Sequence, residues 1–407
     1  MSSKPYVIAG AGHAARRAAE TLRARDADAH IVMIGDERAL PYDRPELSKG
    51  ALLSEEGERR IFIRDAAWYG AQRVDMRLGM RVEAIDRASQ SVVLSDGARV
   101  EYGRLLLATG SRVRPFPGHV DDGVKLHYVR TVDDARALRA ALSPGKRVAV
   151  LGGGFIGLEV AASAIKADCA VVLIEPAQRL LMRSMPREVA DFMHALHRAK
   201  GVDMRLDTKP LAVRRGAGHA IVETDRGDIA ADIVVVGIGV VPNVELAQAA
   251  GLAVNNGIVV DEQCRTGDPS IFAAGEVTMH FNPLLKRHVR VESWQVAENQ
   301  PVIAAANMLG AEEPYAEMPW LWSDQYECNV QTLGLFDVAH ETVLRGDPSS
   351  GSFCVLALNG AGALAAVAAV NAGRDMGACK RLLAAGKPLD IGALRDTNVA
   401  LRSLIAA

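Results

Sequence analysis

One stretch limits what this chain can become more than any other: residues 146–176, KRVAVLGGGFIGLEVAASAIKADCAVVLIEP. Residues 147–151 alternate and are rich in β-branched side chains, which predicts a strand. Gly152, Gly154 and Gly157 then give the spacing G-x-G-x-x-G, and the apolar face from Phe155 to Ile165 has a helical period. The three glycines have separate tasks. Gly152 makes the tight turn, Gly154 lets backbone approach a pyrophosphate, and Gly157 lets helix pack on strand. The start of the helix, at Phe155 and Ile156, offers unpaired N–H groups and a positive dipole end to that anion. A second strand at 170–174 runs into Glu175, about twenty residues on, where a carboxylate can take a ribose 2′-hydroxyl. A glycine-rich packing turn would account for three glycines but not for Glu175.

The pattern occurs twice. An apolar strand at 6–9 enters Gly10-Ala11-Gly12-His13-Ala14-Ala15, the G-x-G-x-x-A variant, followed by a helix at 14–25 and a strand at 30–34. Gly10, Gly12 and Ala14 are the candidate pyrophosphate contacts. Asp36 falls 24 residues past Gly12 (36 − 12), again where a ribose acid belongs. Two such units need two nucleotides, and a flavin with a nicotinamide is the natural pairing.

The composition excludes several other classes. A chain of 407 residues, 49% hydrophobic, 24% charged and formally −2, is ordinary for a folded soluble protein of two or three domains. It gives no ground for nucleic-acid or membrane-surface binding. No apolar run is long enough to span a bilayer, and Lys4 leads straight into a strand pattern without a signal-peptide layout, so a cytoplasmic protein is expected. The five cysteines, at 169, 264, 328, 354 and 379, form no C-x-x-C and no close pair. A disulfide framework, a metal site and a redox dithiol are therefore not expected.

The remaining segments fit around the two glycine turns. PYDRPELSKG at 41–50 reads on composition as a surface loop. Residues 91–102 form a hairpin about Asp96-Gly97. The buried strand LLLATG at 105–110 ends in Ala108-Thr109-Gly110, an end that brings backbone near a ligand. Pro115 and Pro117 mark the crossover into a second domain, with helices at 132–142 and 186–200 and strands at 202–206 and 219–224. The strand 233–236 ends in Gly237-Ile238-Gly239, and Gly239 is a further candidate contact. Strands at 257–261 and 271–274 follow, the second ending in IFAAGE. RVESWQVAENQ at 290–300 opens a helix reaching about Leu309, with Pro301 marking a kink or a late start. Strand runs at 331–336, 341–344, 353–359 and 363–371, then a helix at 374–384, read as a third domain. The expected division is 1–112 with 240–318, then 113–239, then 319–407. The fold class is α/β, two Rossmann-like nucleotide-binding domains plus a C-terminal α+β domain.

GAGHAA, GDE, PYDRPELSK, ATG, RTVDDA, GGGFIGLE, GIGVVPN, IFAAGE, ESW and PWLWSDQY occur in that order and cover nearly the whole chain. Together they resemble the FAD-dependent, NADH-using ferredoxin reductases of bacterial oxygenases and cytochromes P450, whose architecture is that of glutathione reductase. The resemblance implies that Lys49 of LSK and Glu159 of GGGFIGLE pair beside the reactive edge of the flavin. There a fixed ammonium stabilises the negative charge that grows as hydride arrives. It further implies that Arg44 and Pro45 line that site and that Val82 and Arg130 contact FAD. Glu276 stands where relatives usually carry the aspartate that binds the ribityl chain. Trp294 falls by the pyrimidine end of the flavin, Glu292 opposite the nicotinamide carboxamide, and Trp322 over the flavin where an iron–sulfur partner docks.

The implied activity takes a hydride from NADH onto tightly bound FAD and passes electrons singly to a [2Fe–2S] ferredoxin that serves an oxygenase. Glu175 favours NADH over NADPH because a carboxylate repels a 2′-phosphate, while Arg179 weakens that preference. A monomer or homodimer is expected. Alternatives on the same fold are a rubredoxin or quinone reductase, and a flavin redox sensor of the apoptosis-inducing-factor kind. A disulfide reductase would need a cysteine between Asp36 and Ile61, and there is none. Lys286, Arg287 and Arg290 could form a docking patch for an acidic ferredoxin.

Overall fold

The computed structural model describes residues 4–405. The chain divides into two compact units. The first contains the chain up to Leu47, Glu55–Arg112 and Val240–Met318. The second contains Ser48–Ser54, Val113–Gly239 and the chain from Pro319 on.

The first unit is built on a five-stranded parallel sheet in the order Ile271–Ala273, Arg104–Leu107, Tyr6–Ala9, Ile31–Gly35, Val74–Leu78. Its strands are near-continuous apolar runs because both faces are covered. The helices His13–Arg25 and Trp294–Met308 pack together on one face, around Ile8, Leu22, Leu106, Phe272 and Ala304. Pro301 lies inside the second helix, which begins at Trp294 with the Ser293 hydroxyl capping Val296 N–H. The strands Val82–Asp86, Ser91–Leu94 and Arg99–Glu101 add a small antiparallel sheet.

The second unit repeats the plan. Its parallel sheet runs Leu126–His127, Ile233–Val236, Arg147–Leu151, Ala170–Ile174, Asp203–Arg205. In each sheet the strand before a glycine turn is central, flanked by the acid-bearing strand and by a strand that ends in a small-residue turn. Gly10 (φ 129°) and Gly152 (φ 113°) occupy matching positions where the backbone requires glycine. A Cβ at either would overlap a carbonyl oxygen, Ala108 for Gly10 and Gly237 for Gly152.

The C-terminal part is a five-stranded antiparallel sheet, Trp320–Gln325, Cys328–Gly334, Leu364–Val370, Ser352–Leu358, Glu341–Asp347, with the helix Gly373–Ala385 against it. Its apolar residues Val330, Phe353 and Val355 share one core with Leu158, Leu173 and Met193. Among the described residues no helix is long and apolar enough to cross a membrane.

The segment 41–50 differs from its reading as a surface loop. Arg44–Ser48 is a 3-10 turn, and Tyr42, Leu47 and Ser48 are buried. Composition suggested solvent because the polar side chains are many, but they turn inward and find partners there.

Candidate functional site

In the first unit the central glycine turn leads into the His13–Arg25 helix, whose N-terminus points at the turn as an anion site would require. Arg44 lies over it: a Cβ placed on Gly12 would be 3.6 Å from Arg44 Nη2. The guanidinium donates to Glu37 Oε1 (2.6 Å) and to the Tyr42 hydroxyl (2.9 Å), and that hydroxyl donates to Glu37 Oε2 (2.5 Å). Burial disfavours the Arg44 charge, but Tyr42, Glu37 and Glu276 outweigh it and raise its pKa. A cation fixed over a glycine turn fits a pyrophosphate. Pro45 follows within the same 3-10 turn.

Other candidates gather around this turn. Ala108 closes over Gly10, and a Cβ at Gly275, next to Glu276, would lie 3.1 Å from the Ala14 methyl. Thr109 donates to Asn243 O, and Asn243 returns bonds to Thr109 O and Gly110 O, which locks the ATG end. The Trp294 indole donates to Asp43 Oδ1 at 2.9 Å, and its ring meets His13 edge-on at 5.4 Å. His13 and Arg16 both hold Glu298 at 2.5 Å. These two groups outweigh the effect of burial and keep the Glu298 carboxyl low, at about 2.

Three candidates remain. Asp36 is exposed and lies one residue beyond the register position of Glu175: Gly10 N–H bonds Ile34 O as Gly152 N–H bonds Ile174 O, so Gly35 is the counterpart of Glu175. A side chain at Gly35 would overlap the Ala11 methyl, which explains the offset. Val82 sits on the small antiparallel sheet. Glu292 is exposed and pairs with Arg290 at 2.5 Å.

In the second unit Gly152, Gly154 and Gly157 form the corresponding turn, and Gly154 has open space where its Cβ would be. That space, at the N-terminus of the Phe155–Lys166 helix, fits a second pyrophosphate. Ile156 is 42% exposed there, an apolar surface beside the turn. Glu175 accepts from Gly153 N–H (2.6 Å) and Ala177 N–H (2.7 Å), so its carboxylate is fixed at the end of its strand. Arg179 donates to the carbonyls of Met185 (2.9 Å) and Met182 (3.1 Å). A Cβ on Gly239 would lie 3.9 Å from Arg183 Nη2. Arg130 precedes Thr131, the N-cap of the helix Val132–Ala141, and its N–H bonds Asp134.

Lys49 and Glu159 meet: Nζ is 3.5 Å from Oε1. Glu159 is 5% exposed and also accepts from the Ser48 and Ser323 hydroxyls, each at 2.5 Å. Burial pushes the Glu159 carboxyl above its usual range, opposed by Lys49 and by those two hydroxyls. Trp320 and Trp322 project together from the strand and stack at 4.9 Å. Ser48, Ser323, Glu37, Asp43, His13 and Glu298 were not singled out from the sequence. Ser48 and Ser323 lie inside quoted motifs, but only the fold shows what their hydroxyls touch.

Two parallel sheets, each with a glycine turn and a nearby acid, and an ammonium–carboxylate pair define a two-dinucleotide reductase. Residues 4–300 match the pyridine nucleotide-disulphide oxidoreductase family and residues 320–405 match the reductase C-terminal family. The chain is 64% identical over 406 residues to the anthranilate 1,2-dioxygenase system ferredoxin--NAD(+) reductase component of Burkholderia cepacia, with 100% of each chain covered. Putidaredoxin reductase of Pseudomonas putida is 38% identical, covering 98% of this chain and 96% of that one. The crystal structure of a covalent putidaredoxin reductase–putidaredoxin complex superimposes with a TM-score of 0.95 at 37% identity, covering 100% of this chain and 99% of that one. The chain belongs to the pyridine nucleotide-disulphide oxidoreductase family and, within it, to the ferredoxin--NAD(+) reductase components of oxygenase systems.

Proposed function

We propose that this protein is an FAD-dependent NADH:ferredoxin oxidoreductase that supplies a cytoplasmic oxygenase system through a [2Fe–2S] ferredoxin. The observation that carries the reading is the presence of two dinucleotide turns together with the Lys49–Glu159 pair, in a chain whose cysteines are all buried. Burial pushes all five thiols above their ordinary range, so none supplies the thiolate that disulfide chemistry needs.

Bound FAD supplies the coupling, accepting two electrons as hydride and releasing them singly. Residues 1–112 and 240–318 hold it: the Gly10–Ala14 turn and Arg44 take the pyrophosphate, Asp36 the adenosine ribose, and Glu276 the ribityl chain. Pro45, Val82, the Ala108–Gly110 backbone and Trp294 complete its contacts. Residues 113–239 hold NADH, with Gly152–Gly157 on the pyrophosphate, Glu175 on the ribose hydroxyls and Gly239 close by. Arg179, committed to two loop carbonyls, would have to leave them to meet a 2′-phosphate, which supports the NADH preference. Glu292 orients the carboxamide. Lys49 offers positive charge where negative charge grows, and Glu159 keeps it placed. Residues 319–407 form the ferredoxin-facing part, where Trp322 fills space and excludes water.

Anaerobic titration of the purified protein tests the reading. One FAD per chain, bleached by one equivalent of NADH and far more slowly by NADPH, is expected. A colourless protein, or a flavin that NADH does not bleach, overturns it.

A further inference from the structure

The Lys49–Glu159 pair is the end of a longer buried chain. In the strand Trp320–Gln325 alternate residues share a face, so Ser323 and Gln325 point together into the core while Trp320 and Trp322 point away. Ser323 and Gln325 are each 1% exposed. Ser323 Oγ donates to Glu159 Oε1 at 2.5 Å, and Gln325 Nε2 donates to Ser323 Oγ at 3.0 Å. Gln325 Oε1 lies 2.7 Å from Nε2 of His197, which is fully buried on the helix Arg187–Ala199. The Tyr326 hydroxyl lies 3.4 Å from His197 Nδ1.

The polarity of this chain follows from its chemistry. With the Gln325 amide nitrogen toward Ser323, its oxygen faces His197 and requires a proton on Nε2. Nδ1 is then an acceptor for the Tyr326 hydroxyl. Every donor points the same way, from Tyr326 through His197, Gln325 and Ser323 to the Glu159 carboxylate. The opposite orientation would turn the Ser323 proton toward Gln325 and take a donor from Glu159. Lys49 is the charged group facing Glu159, and His194 and Tyr326 are the titratable groups facing His197. Burial pushes the His197 pKa down, which keeps the ring neutral and able to both donate and accept.

We propose that Ser323, Gln325 and His197 are positioning residues that act through Glu159: their aligned hydrogen bonds favour its ionised form and thereby hold the ammonium of Lys49 in place. The proposal rests on the reading that Lys49 and Glu159 work at the flavin.

Infrared difference spectroscopy of the FAD-loaded protein across pH isolates Glu159 as the protonated-carboxyl band that Glu159→Gln removes. Ser323→Ala is expected to shift the appearance of that band upward by about one pH unit, the effect of losing one hydrogen bond to a charged group. His197→Leu shifts it in the same direction, and His197→Gln, whose amide can still donate to Gln325, returns it toward wild type. Ser323→Ala removes a single oxygen and carries the test alone if His197→Leu does not retain FAD. An unmoved band in Ser323→Ala, or in a folded His197→Leu, overturns the proposal. Reduction of Lys49→Ala by NADH separates the two failures. A normal rate there means that the pair is not part of the reaction, whereas a slowed rate with an unmoved band removes only the relay.

Discussion

Lys49 is the residue on which the account of catalysis depends most. Its ammonium is mostly enclosed and faces a carboxylate held by two hydroxyls, so it is fixed before any substrate arrives. Lys49→Ala should slow flavin reduction by NADH on the order of tenfold to a hundredfold while FAD content stays the same, as read by stopped-flow absorbance. At the second turn, Glu175→Ala should weaken NADH about tenfold and narrow the margin over NADPH, because a charged hydrogen-bond acceptor is lost and a repulsion removed. An unchanged cofactor preference in steady-state kinetics would mean that Glu175 does not face the ribose. The sequence made both residues visible for different reasons. Glu175 follows from spacing alone, whereas Lys49 and Glu159 lie 110 residues apart (159 − 49) and came together only through the resemblance. Ser323, 164 residues from Glu159, carried no local sign of its role. The offset of Asp36 was equally hidden, since it depends on strand register and on the Ala11 methyl that crowds Gly35.

Among the elements, the strands and helices of both glycine turns were legible because backbone geometry and anion binding constrain the same few residues. The segment 41–50 was not, because polar residues that bond one another inside a fold have the composition of residues that bond water. The strand Thr278–Asn282 adds a testable consequence. His280 is 1% exposed, packs edge-on against Tyr315, and burial lowers its pKa to about 4. The unfolded chain, with a histidine pKa near ~6.5, therefore binds the extra proton first as pH falls. The contribution of neutral His280 is complete above about pH 6.5 and is lost progressively toward pH 4. Between about pH 7.5 and 5.5 the loss is on the order of 1 kcal/mol. His280→Leu should reduce the fall in melting temperature over that interval, and an identical fall would exclude His280 as its source. In the C-terminal sheet, buried Arg345 donates to the carbonyls of Leu394, Asp396 and Val399, fastening the segment 394–399 to the strand Glu341–Asp347. Arg345→Met should lower stability by about 3 kcal/mol and speed hydrogen exchange at 394–399. Unchanged exchange there would contradict the clamp.

For the whole molecule, two nucleotide turns in one chain imply traffic between a two-electron donor and a second acceptor, and the choice of acceptor defines the function. Net charge and cysteine count narrow the field without naming that acceptor. Relatives that match over nearly the full length include a ferredoxin--NAD(+) reductase component of an anthranilate dioxygenase system and a putidaredoxin reductase. The most direct test is to reduce the FAD-loaded protein anaerobically with NADH and mix it with a panel of [2Fe–2S] ferredoxins, a rubredoxin and a quinone, following flavin absorbance. The account predicts rapid bleaching by NADH and rapid reoxidation by a ferredoxin. Bleaching followed by turnover only on rubredoxin or quinone would contradict it.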